Sequence, residues 1–523
     1  MVVDGRLLFL YSEPKDSRDG EPVRAKGLTV RTVWVLGDQL NRRIGAMAGV
    51  RPRDVRVLMV ESESMLFSRP YHRQRLHLVL TTMRRFASEL RSAGFQVDYQ
   101  RAETLSAGLR RHRDRYGPTS VVATEPNSRK VEAQLLGLDV ELMRSNQFLC
   151  HRDDFADWAG DRNRLRMEDF YRRQRQRLGY LMDGDEPAGG RWNFDHDNRE
   201  PPPRDGGEWP TPPQSRLDHL DREVMDGLPE GLPGAAPVGW WATSRRAALS
   251  RLKHFTDQVL PGFGPHEDAM LTDNWHLAHS LLSPYLNLGL LLPGEVCDAV
   301  ENAYRAGRVP INSAEGFIRQ IIGWREFIWG VSWLWPEQLS ANVFDHRRSV
   351  PPAFLGTART EMRCLQVTLD AVDERGWAHH IQRLMILANF ANLYGIDPLR
   401  FLAWMRERFV DAADWVMVPN VMGMGLWADG GLMATKPYVS GGSYINRMSD
   451  YCKECRFQPT SRTGRDACPF TVLYWDFLSR HRDRLAGNHR MARQYGTLDR
   501  LDDLAGLREA ADRIIDDCGS GRL

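Results

Sequence analysis

Three cysteines near the C-terminal end carry the clearest chemistry in the chain. Cys452, Cys455 and Cys468 are spaced C-x2-C-x12-C. A tight turn between the first two puts both sulfurs on one side, where they can bind one metal, and Cys468 supplies a third ligand. Thiolates bind zinc and iron–sulfur clusters alike. The spacing is therefore compatible with a zinc site, with an iron–sulfur cluster, or with a chance arrangement of cysteines. Cys364 is the best further cysteine for a fourth position.

Two adjacent histidines, His379 and His380, offer acid–base chemistry. Imidazole titrates near neutral pH and passes a proton in either direction. The alternative is that both are ordinary polar residues of a helix.

Positive charge is concentrated in residues 170–180, FYRRQRQRLGY, where arginines stand among aromatic residues. This mixture suits phosphate contact and base stacking. A solvated helix face is the alternative reading of the same run.

Length and composition limit the class of protein. The chain has 523 residues, 42% of them hydrophobic, and a net charge of only +2, which suits two or three domains. No apolar run reaches the ~20 residues that span a bilayer. Residues 1–29 lack the apolar core of a secretory signal, so we expect a disordered extension and a cytoplasmic protein. Seven cysteines in such a chain argue against a disulfide framework.

The elements that must position these residues fall into three parts. Residues 30–160 alternate strand and helix patterns, which predicts an α/β domain with a parallel sheet. Residues 161–242, rich in proline and glycine from 183 onward, predict an interdomain linker on the surface. Residues 243–523 are helical in pattern throughout. Within these parts the predicted strands are 33–40, 56–62, 120–126 and 138–145, and the predicted helices include 71–93, 316–335 and 379–395.

Six segments together resemble the iron–sulfur bacterial cryptochromes and photolyases, which include the prokaryotic (6-4) photolyases. They are VLGDQL (35–40), GGRWNFDHDNREP (189–201), EGFIRQIIGWREF (315–327), AHHIQRLM (378–385), ATKPYVSGGSYINRMSDYC (434–452) and NHRMA (488–492). The resemblance is collinear over nearly the whole chain. It implies the photolyase/cryptochrome fold, with a Rossmann-like α/β antenna domain followed by a large all-α FAD-binding domain.

The resemblance implies FAD and a 4Fe–4S cluster as cofactors. Cys364, Cys452, Cys455 and Cys468 match the cluster ligands, with a structural role first. The residues expected to hold FAD are His279, Ser280, Leu281, Leu282, Ser283, Trp324, Arg325, Arg383, Asp429 and Gly430. A helix start near Ser283 would add N–H donors for the phosphates, and simple N-capping by Ser283 is the alternative.

The activity that the resemblance implies is that of a (6-4) DNA photolyase, which repairs ultraviolet-damaged DNA with light. Reduced FAD gives one electron to the flipped-out lesion, His380 beside His379 supplies a proton, and the electron returns. Tyr438 is expected to contact the lesion, and Asp268 to join the pocket or hold a cation. We expect a monomer. Two alternatives are a cryptochrome-like photoreceptor without repair and a non-photochemical Fe–S DNA-binding protein.

The sequence departs from the family in the aromatic residues that carry electrons to the flavin. Gly356 stands where relatives can have a tryptophan, and Met405 where a tyrosine can stand. Trp404 alone is kept, so the usual route is interrupted. Trp415 and Trp427 are candidate substitutes, although a buried tryptophan more often only packs.

A further departure concerns the antenna pigment. Gly37, Asp38 and Gln39 are kept at the N-terminal chromophore pocket. Met65 replaces a glutamate that can hydrogen-bond 6,7-dimethyl-8-ribityllumazine, so the sequence leaves this antenna open.

Overall fold

A parallel sheet forms the N-terminal part of the protein. The computed structural model describes residues 31–162 and 164–523, so the predicted extension, residues 1–29, lies outside the described part. The strands are β1 Arg31–Trp34, β2 Val55–Ser62, β3 Gln96–Ala102, β4 Val121–Thr124 and β5 Glu141–Met143. They pair in parallel in the order β3-β2-β1-β4-β5, which confirms the predicted sheet.

Helices cover both faces of this sheet. They are α1 Glu63–Leu66, α2 Arg73–Ser92, α3 Leu105–Tyr116 and α4 Arg129–Leu136. Because successive strand residues point to opposite faces, Val33 and Val57 pack in one apolar cluster with α2, and Trp34 and Leu58 pack in another with α3. Strands buried on both faces explain the continuous apolar runs in the sequence.

The predicted strand 33–40 is too long, because β1 ends at Trp34. The following residues cross to the helical part of the protein instead. The N–H of Leu40 donates to the carbonyl of Leu288 at 2.9 Å, and the Asn41 amide donates to the carbonyl of Gly289 at 3.0 Å. A buried crossing loop is as apolar as a buried strand, so the hydropathy pattern alone does not separate them.

The connecting region contains short elements that pack on both parts. They are α5 Arg152–Ala159, α6 Met167–Leu178, the hairpin strands β6 Met182–Asp183 and β7 Glu186–Pro187, and α7 His219–Asp226. The arginine-rich run 170–180 lies mainly in α6, and both readings of it need correction at Arg175. That side chain is fully buried, and it donates to the carbonyls of Leu181 and Trp192.

The rest of the chain is helical, as predicted. The helices are α8 Arg245–His254, α9 Phe263–His266, α10 Ser283–Asn287, α11 Pro293–Arg305, α12 Ile311–Ile318, α13 Glu326–Leu334, α14 Pro352–Leu355, α15 Arg363–Arg375, α16 Asn389–Tyr394, α17 Pro398–Arg408, α18 Asp414–Val418, α19 Gly442–Met448, α20 Pro469–Arg480, α21 Arg482–Leu485, α22 Ala492–Leu498 and α23 Leu504–Gly519. Within the described ranges, no helix combines the length and the apolar character that a membrane crossing requires.

Three π-helical segments interrupt the helices where predicted site residues stand. Arg319–Arg325 joins α12 to α13, Gln382–Ala388 precedes α16, and Pro419–Gly425 follows α18. A π-helical turn adds a residue to the helix and redirects the side chains that follow, and such turns are frequent at functional sites. These segments carry Arg325 and Arg383 and lead to Asp429.

We expect Gly330→Ala to destabilise the protein by about 2 kcal/mol, because overpacking a close helix contact outweighs the gain in helix propensity. A Cβ at Gly330 of α13 would overlap the Phe155 ring of α5. Urea denaturation measures the free energy of unfolding. Gly487→Ala is the matched control, since nothing lies within 4 Å of its Cβ position. Equal stability of the two variants would contradict this packing account.

Candidate functional site

A bidentate ion pair joins three distant segments of the helical part. The Arg383 guanidinium donates to both carboxylate oxygens of Asp411 at 3.0 Å. The Ser283 hydroxyl donates to the same carboxylate at 2.7 Å. Because the Asp411 side chain is only 7% exposed, the three side chains form one fixed polar group. Asp411 was not among the predicted site residues, since no motif surrounds it.

The predicted phosphate-binding stretch, residues 279–283, ends at this polar group. Helix α10 begins at Ser283 itself, so its hydroxyl bonds to Asp411 and does not cap the helix. Leu277 and Leu281 have φ of +41° and +56°. Left-handed backbone at non-glycine residues is strained, and such strain is found at ligand clamps. The geometry therefore suits a segment that is shaped to hold a ligand.

His279 packs against His379, the first of the two adjacent histidines. Its ring stacks on that of His379, with centroids 4.4 Å apart. Its two ring nitrogens lie 3.0 and 3.1 Å from the carbonyl oxygens of His276 and Glu267. Burial, and then the nearby charge of His380, lower the pKa of His279 to about 3, so the ring is neutral and carries one N–H. That proton is used by the backbone, which leaves His279 as a platform for His379.

His379 is fully buried, yet both of its ring nitrogens lack a hydrogen-bond partner among the described residues. Burial lowers its pKa well below the usual value for histidine. A buried polar group without a partner costs about 1–3 kcal/mol. The side chain therefore suits a site that a polar ligand completes.

His380 differs from its neighbour in both exposure and partner. Its side chain is 53% exposed, and its Nε2 lies 3.2 Å from a carboxylate oxygen of Asp268. Burial alone would raise the pKa of Asp268, but the hydrogen bond and charge of His380 outweigh burial and hold it below the usual value. An accessible imidazole paired with a buried carboxylate can present a proton to a ligand that reaches the ring.

The three imidazoles do not make a good metal site. One nitrogen from each of His279, His379 and His380 lies within 4.8 Å of the others. However, the rings of His279 and His379 are inclined by only 19°. Imidazole lone pairs lie in the ring plane, so two nearly parallel stacked rings do not converge on one ion. We therefore assign the trio no metal.

Trp324 and Arg325 lie in a different environment from Arg383. The Arg325 guanidinium donates to Glu326 at 2.9 Å and lies 4.0 Å from the Phe148 ring centroid. Trp324 packs against the same aromatic cluster. Arg325 also donates to the carbonyl of Gln147 at 3.4 Å, whereas Arg383 pairs with Asp411, so the two arginines have different partners.

The loop of residues 427–431, which we call the WADGG loop after its sequence, is held by its acidic residue, Asp429. Asp429 accepts hydrogen bonds from the Gln338 amide at 2.9 Å and from the N–H of Gly431 at 3.0 Å. Burial raises the pKa of Asp429. Gly430 has a φ of +72°, which favours glycine in this tight loop. Tyr438, predicted to contact the lesion, is exposed on the following segment.

The four predicted cluster cysteines converge on one apolar cavity. Cys364 lies at the start of α15, Cys452 lies within the 3-10 turn Tyr451–Glu454, Cys455 follows that turn, and Cys468 precedes α20. The other lining residues include Met362, Ile445, Phe457 and Phe470. Burial raises the pKa of the Cys364, Cys452 and Cys468 thiols. A cationic metal is what would convert such buried thiols to thiolate ligands.

Gly442 shows how closely the backbone approaches these sulfurs. A Cβ at this position would lie 2.8 Å from the Cys468 sulfur and 3.0 Å from the carbonyl oxygen of Pro459. Glycine is therefore required for the chain to pass this wall of the cavity.

The predicted antenna residues are used in structural contacts. Asp38 accepts from the Asn127 amide at 2.9 Å, and Gln39 donates to the carbonyl of Glu125 at 2.9 Å. A Cβ at Gly37 would lie 3.0 Å from the Met83 sulfur. Met65 is 46% exposed. The structure thus places these residues at the junction of the two parts and at the surface.

The chain is similar to known proteins over most of its length. Residues 33–234 match a family model described as deoxyribodipyrimidine photo-lyase-related protein. A (6-4) photolyase of Agrobacterium fabrum is 42% identical over 485 residues, which cover 90% of this chain and 95% of that protein.

Two crystal structures share the fold. A bacterial class III photolyase from Agrobacterium tumefaciens superposes with a TM-score of 0.54 at 18% identity, over 80% of this chain and 83% of that one. A Synechocystis cryptochrome superposes with a TM-score of 0.50 at 14% identity, over 76% and 83%. At these identities the likeness concerns the fold alone.

Replacing Asp411 by asparagine is expected to lower the free energy of unfolding by about 3 kcal/mol, because it leaves the Arg383 charge largely buried without its partner. Asp414→Asn is the matched control, since that carboxylate also pairs with an arginine but is 64% exposed and should contribute at most about 1 kcal/mol. Urea denaturation checks both. An Asp411→Asn variant no less stable than the control would refute the central role of the pair.

Proposed function

This chain belongs to the photolyase/cryptochrome family, and we propose that it repairs (6-4) pyrimidine photoproducts in DNA with the energy of light. Its relative at 42% identity over 90% of the chain is a (6-4) photolyase. The observation that carries the proposal is the accessible His380 ring, whose Nε2 lies 3.2 Å from a carboxylate oxygen of buried Asp268. Its neighbour His379 is buried and has no hydrogen-bond partner among the described residues. This arrangement can deliver a proton to a base that reaches the His380 ring.

The family implies a flavin cofactor, and the residues of this chain fit one. Three features support this: the nitrogens of buried His379, which have no partner among the described residues, the strained backbone at Leu277 and Leu281, and the fixed group of Arg383, Asp411 and Ser283. We propose that Ser283 and Arg383 hold FAD together with the segment 279–283. When bound in its reduced form, the flavin supplies the electron that opens the lesion.

The residues of the chain then control the proton and the geometry. His380 holds a proton at its exposed ring, and the Asp268 carboxylate orients that ring and stabilises its positive charge. His379, stacked on His279, borders the same space from the buried side. The Arg383 guanidinium stabilises negative charge that develops beside it. Tyr438 is exposed on the segment that follows the WADGG loop and is proposed to contact the damaged strand.

We further propose that Cys364, Cys452, Cys455 and Cys468 hold a 4Fe–4S cluster. Four sulfurs around a tetrahedral zinc at about 2.3 Å lie only about 3.8 Å apart. Among the described residues, only the histidine trio has three ligand atoms that all lie within 4.8 Å of one another. The cysteines do not meet this limit, so their sulfurs are spread more widely than a single zinc ion requires. Wider spacing supports a cluster, in which each sulfur binds a different iron. A lumazine antenna stays a prediction.

Repair of a (6-4) lesion in an oligonucleotide should require blue light and fall by roughly 10²–10⁴-fold in His380→Ala, the usual contribution of a positioned acid. Flavin content should not change. His219→Ala is the control, because that histidine is exposed on α7, which carries none of the proposed site residues. Unchanged repair in His380→Ala would remove the proton-donor assignment, and flavin photochemistry without any repair would favour the photoreceptor alternative.

Cys364→Ser should lose bound iron and its visible absorption, and unfold at a lower temperature, because the cluster links α15 to the C-terminal segment. Iron analysis and thermal unfolding measure the two effects. Cys518→Ser is the matched control, a buried cysteine of α23 outside the cavity. Zinc in place of iron in the wild-type protein would overturn the cluster proposal.

A further inference from the structure

Trp404 is the residue kept from the usual electron route, but its ring contacts in the described part of the chain are all with phenylalanines. Its ring packs against those of Phe354, Phe401 and Phe409 at 5.0, 5.9 and 6.1 Å. A benzene ring is much harder to oxidise than an indole, so phenylalanines do not continue a chain of electron transfers. With Gly356 and Met405 at the other two positions, this route is closed.

A second line of tryptophans runs from the buried core toward the surface. Trp377 is 5% exposed. Its ring meets that of Trp275 edge-on at 5.5 Å, and Trp275 meets Trp240 edge-on at 5.2 Å. Trp275 and Trp240 are both half-buried. Three indoles in direct contact thus connect the core to a position that solvent reaches.

The inner end of this line borders the proposed flavin site. The Arg383 guanidinium lies 6.0 Å from the Trp377 ring centroid. The rings of His279 and His379 lie 6.2 and 6.5 Å from it. Trp377 therefore contacts the residues that are proposed to hold FAD, and it is the tryptophan of the line best placed to exchange an electron with it.

We infer that Trp377, Trp275 and Trp240 carry electrons to the light-excited oxidised flavin and so prepare the reduced form that repair needs. This inference rests on the flavin site proposed above. Trp377 loses one electron to the flavin, Trp275 refills Trp377, and Trp240 refills Trp275. A thiol in solution returns the electron to Trp240. Two such one-electron transfers reduce the flavin fully, and the protons that it takes up come from water. The two thiols that supply the electrons release their protons to water and form one disulfide.

A second tryptophan line exists but is less suited to this role. The ring centroid of Trp329 lies 5.9 Å from that of Trp415 and 5.5 Å from that of Trp333. The Arg129 and Arg152 guanidinium groups lie 4.8 and 4.2 Å from the outer ring, that of Trp333. Two cations against one ring oppose a positive charge on it. This line serves as an internal control.

A cation against the two outer rings of the favoured line gives a test with a defined sign. The Arg375 guanidinium is 4.8 Å from the Trp275 ring and 5.6 Å from the Trp240 ring, and it is partly neutralised by Glu374 at 2.7 Å. Because a positive neighbour opposes oxidation of the indole, Arg375→Gln should lengthen the life of the outer tryptophan radical. A merely structural role for Trp275 predicts no such effect.

The test uses the full-length protein with oxidised flavin bound, blue light and dithiothreitol. Absorption follows flavin reduction, and transient absorption follows the tryptophan radical. Trp275→Phe should slow reduction by at least about tenfold, a barrier increase of about 1.4 kcal/mol, and abolish the long-lived radical. Trp329→Phe should behave like the wild type. Normal reduction in Trp275→Phe, or slow reduction in Trp329→Phe, would overturn the inference.

Chemical reduction separates this inference from the proposed function. After reduction with dithionite in the dark and then illumination with blue light, Trp275→Phe should repair lesions at the wild-type rate, because the reducing electrons no longer pass through the tryptophans. Wild-type protein that fails to repair after dithionite treatment refutes the proposed function, whereas the photoreduction result for Trp275→Phe still decides the electron route.

Discussion

The bidentate pair between Arg383 and Asp411 is the interaction on which the site depends. It joins a π-helical segment to a loop 28 residues further along the chain, and through the Ser283 hydroxyl it fixes a segment 128 residues away from Asp411. A charge pair this deeply buried is costly unless every partner is in place. Its geometry therefore determines where the strained stretch 277–283, the histidine trio and Trp377 lie relative to one another.

Two other constraints hold the frame around this pair. Residues 40 and 41 bond to the backbone that follows α10, and this ties the α/β part to the segment that carries Ser283. In the helical part, four cysteines from three stretches of chain also meet around one cavity. These contacts hold together stretches of the helical part that are distant in the sequence.

The histidines show how environment separates residues of one type. His279, His379 and His380 lie within a few ångströms of each other, yet their environments differ. His279 is held by backbone carbonyls, His379 has no hydrogen-bond partner in the described part of the chain, and His380 is exposed and paired with a carboxylate. Burial keeps the first two neutral. Only His380 combines access with a partner that favours positive charge, which makes it the member of the trio suited to give up a proton.

The sequence by itself determined the features that depend on near neighbours or on long motifs. The strand–helix alternation predicted the sheet, the spacing of Cys452, Cys455 and Cys468 predicted that they lie together as ligands of one metal site, and the collinear motifs predicted the family. Only the tertiary structure decided the partner of Arg383, the burial of Arg175, the environment of Arg325 and the contact between Trp275 and Trp377. Those outcomes depend on which side chains meet across 28 residues, as for Arg383 and Asp411, or across more than a hundred, as for Trp275 and Trp377, and on how a helix is rotated in its packing. Hydropathy and spacing along the chain specify neither.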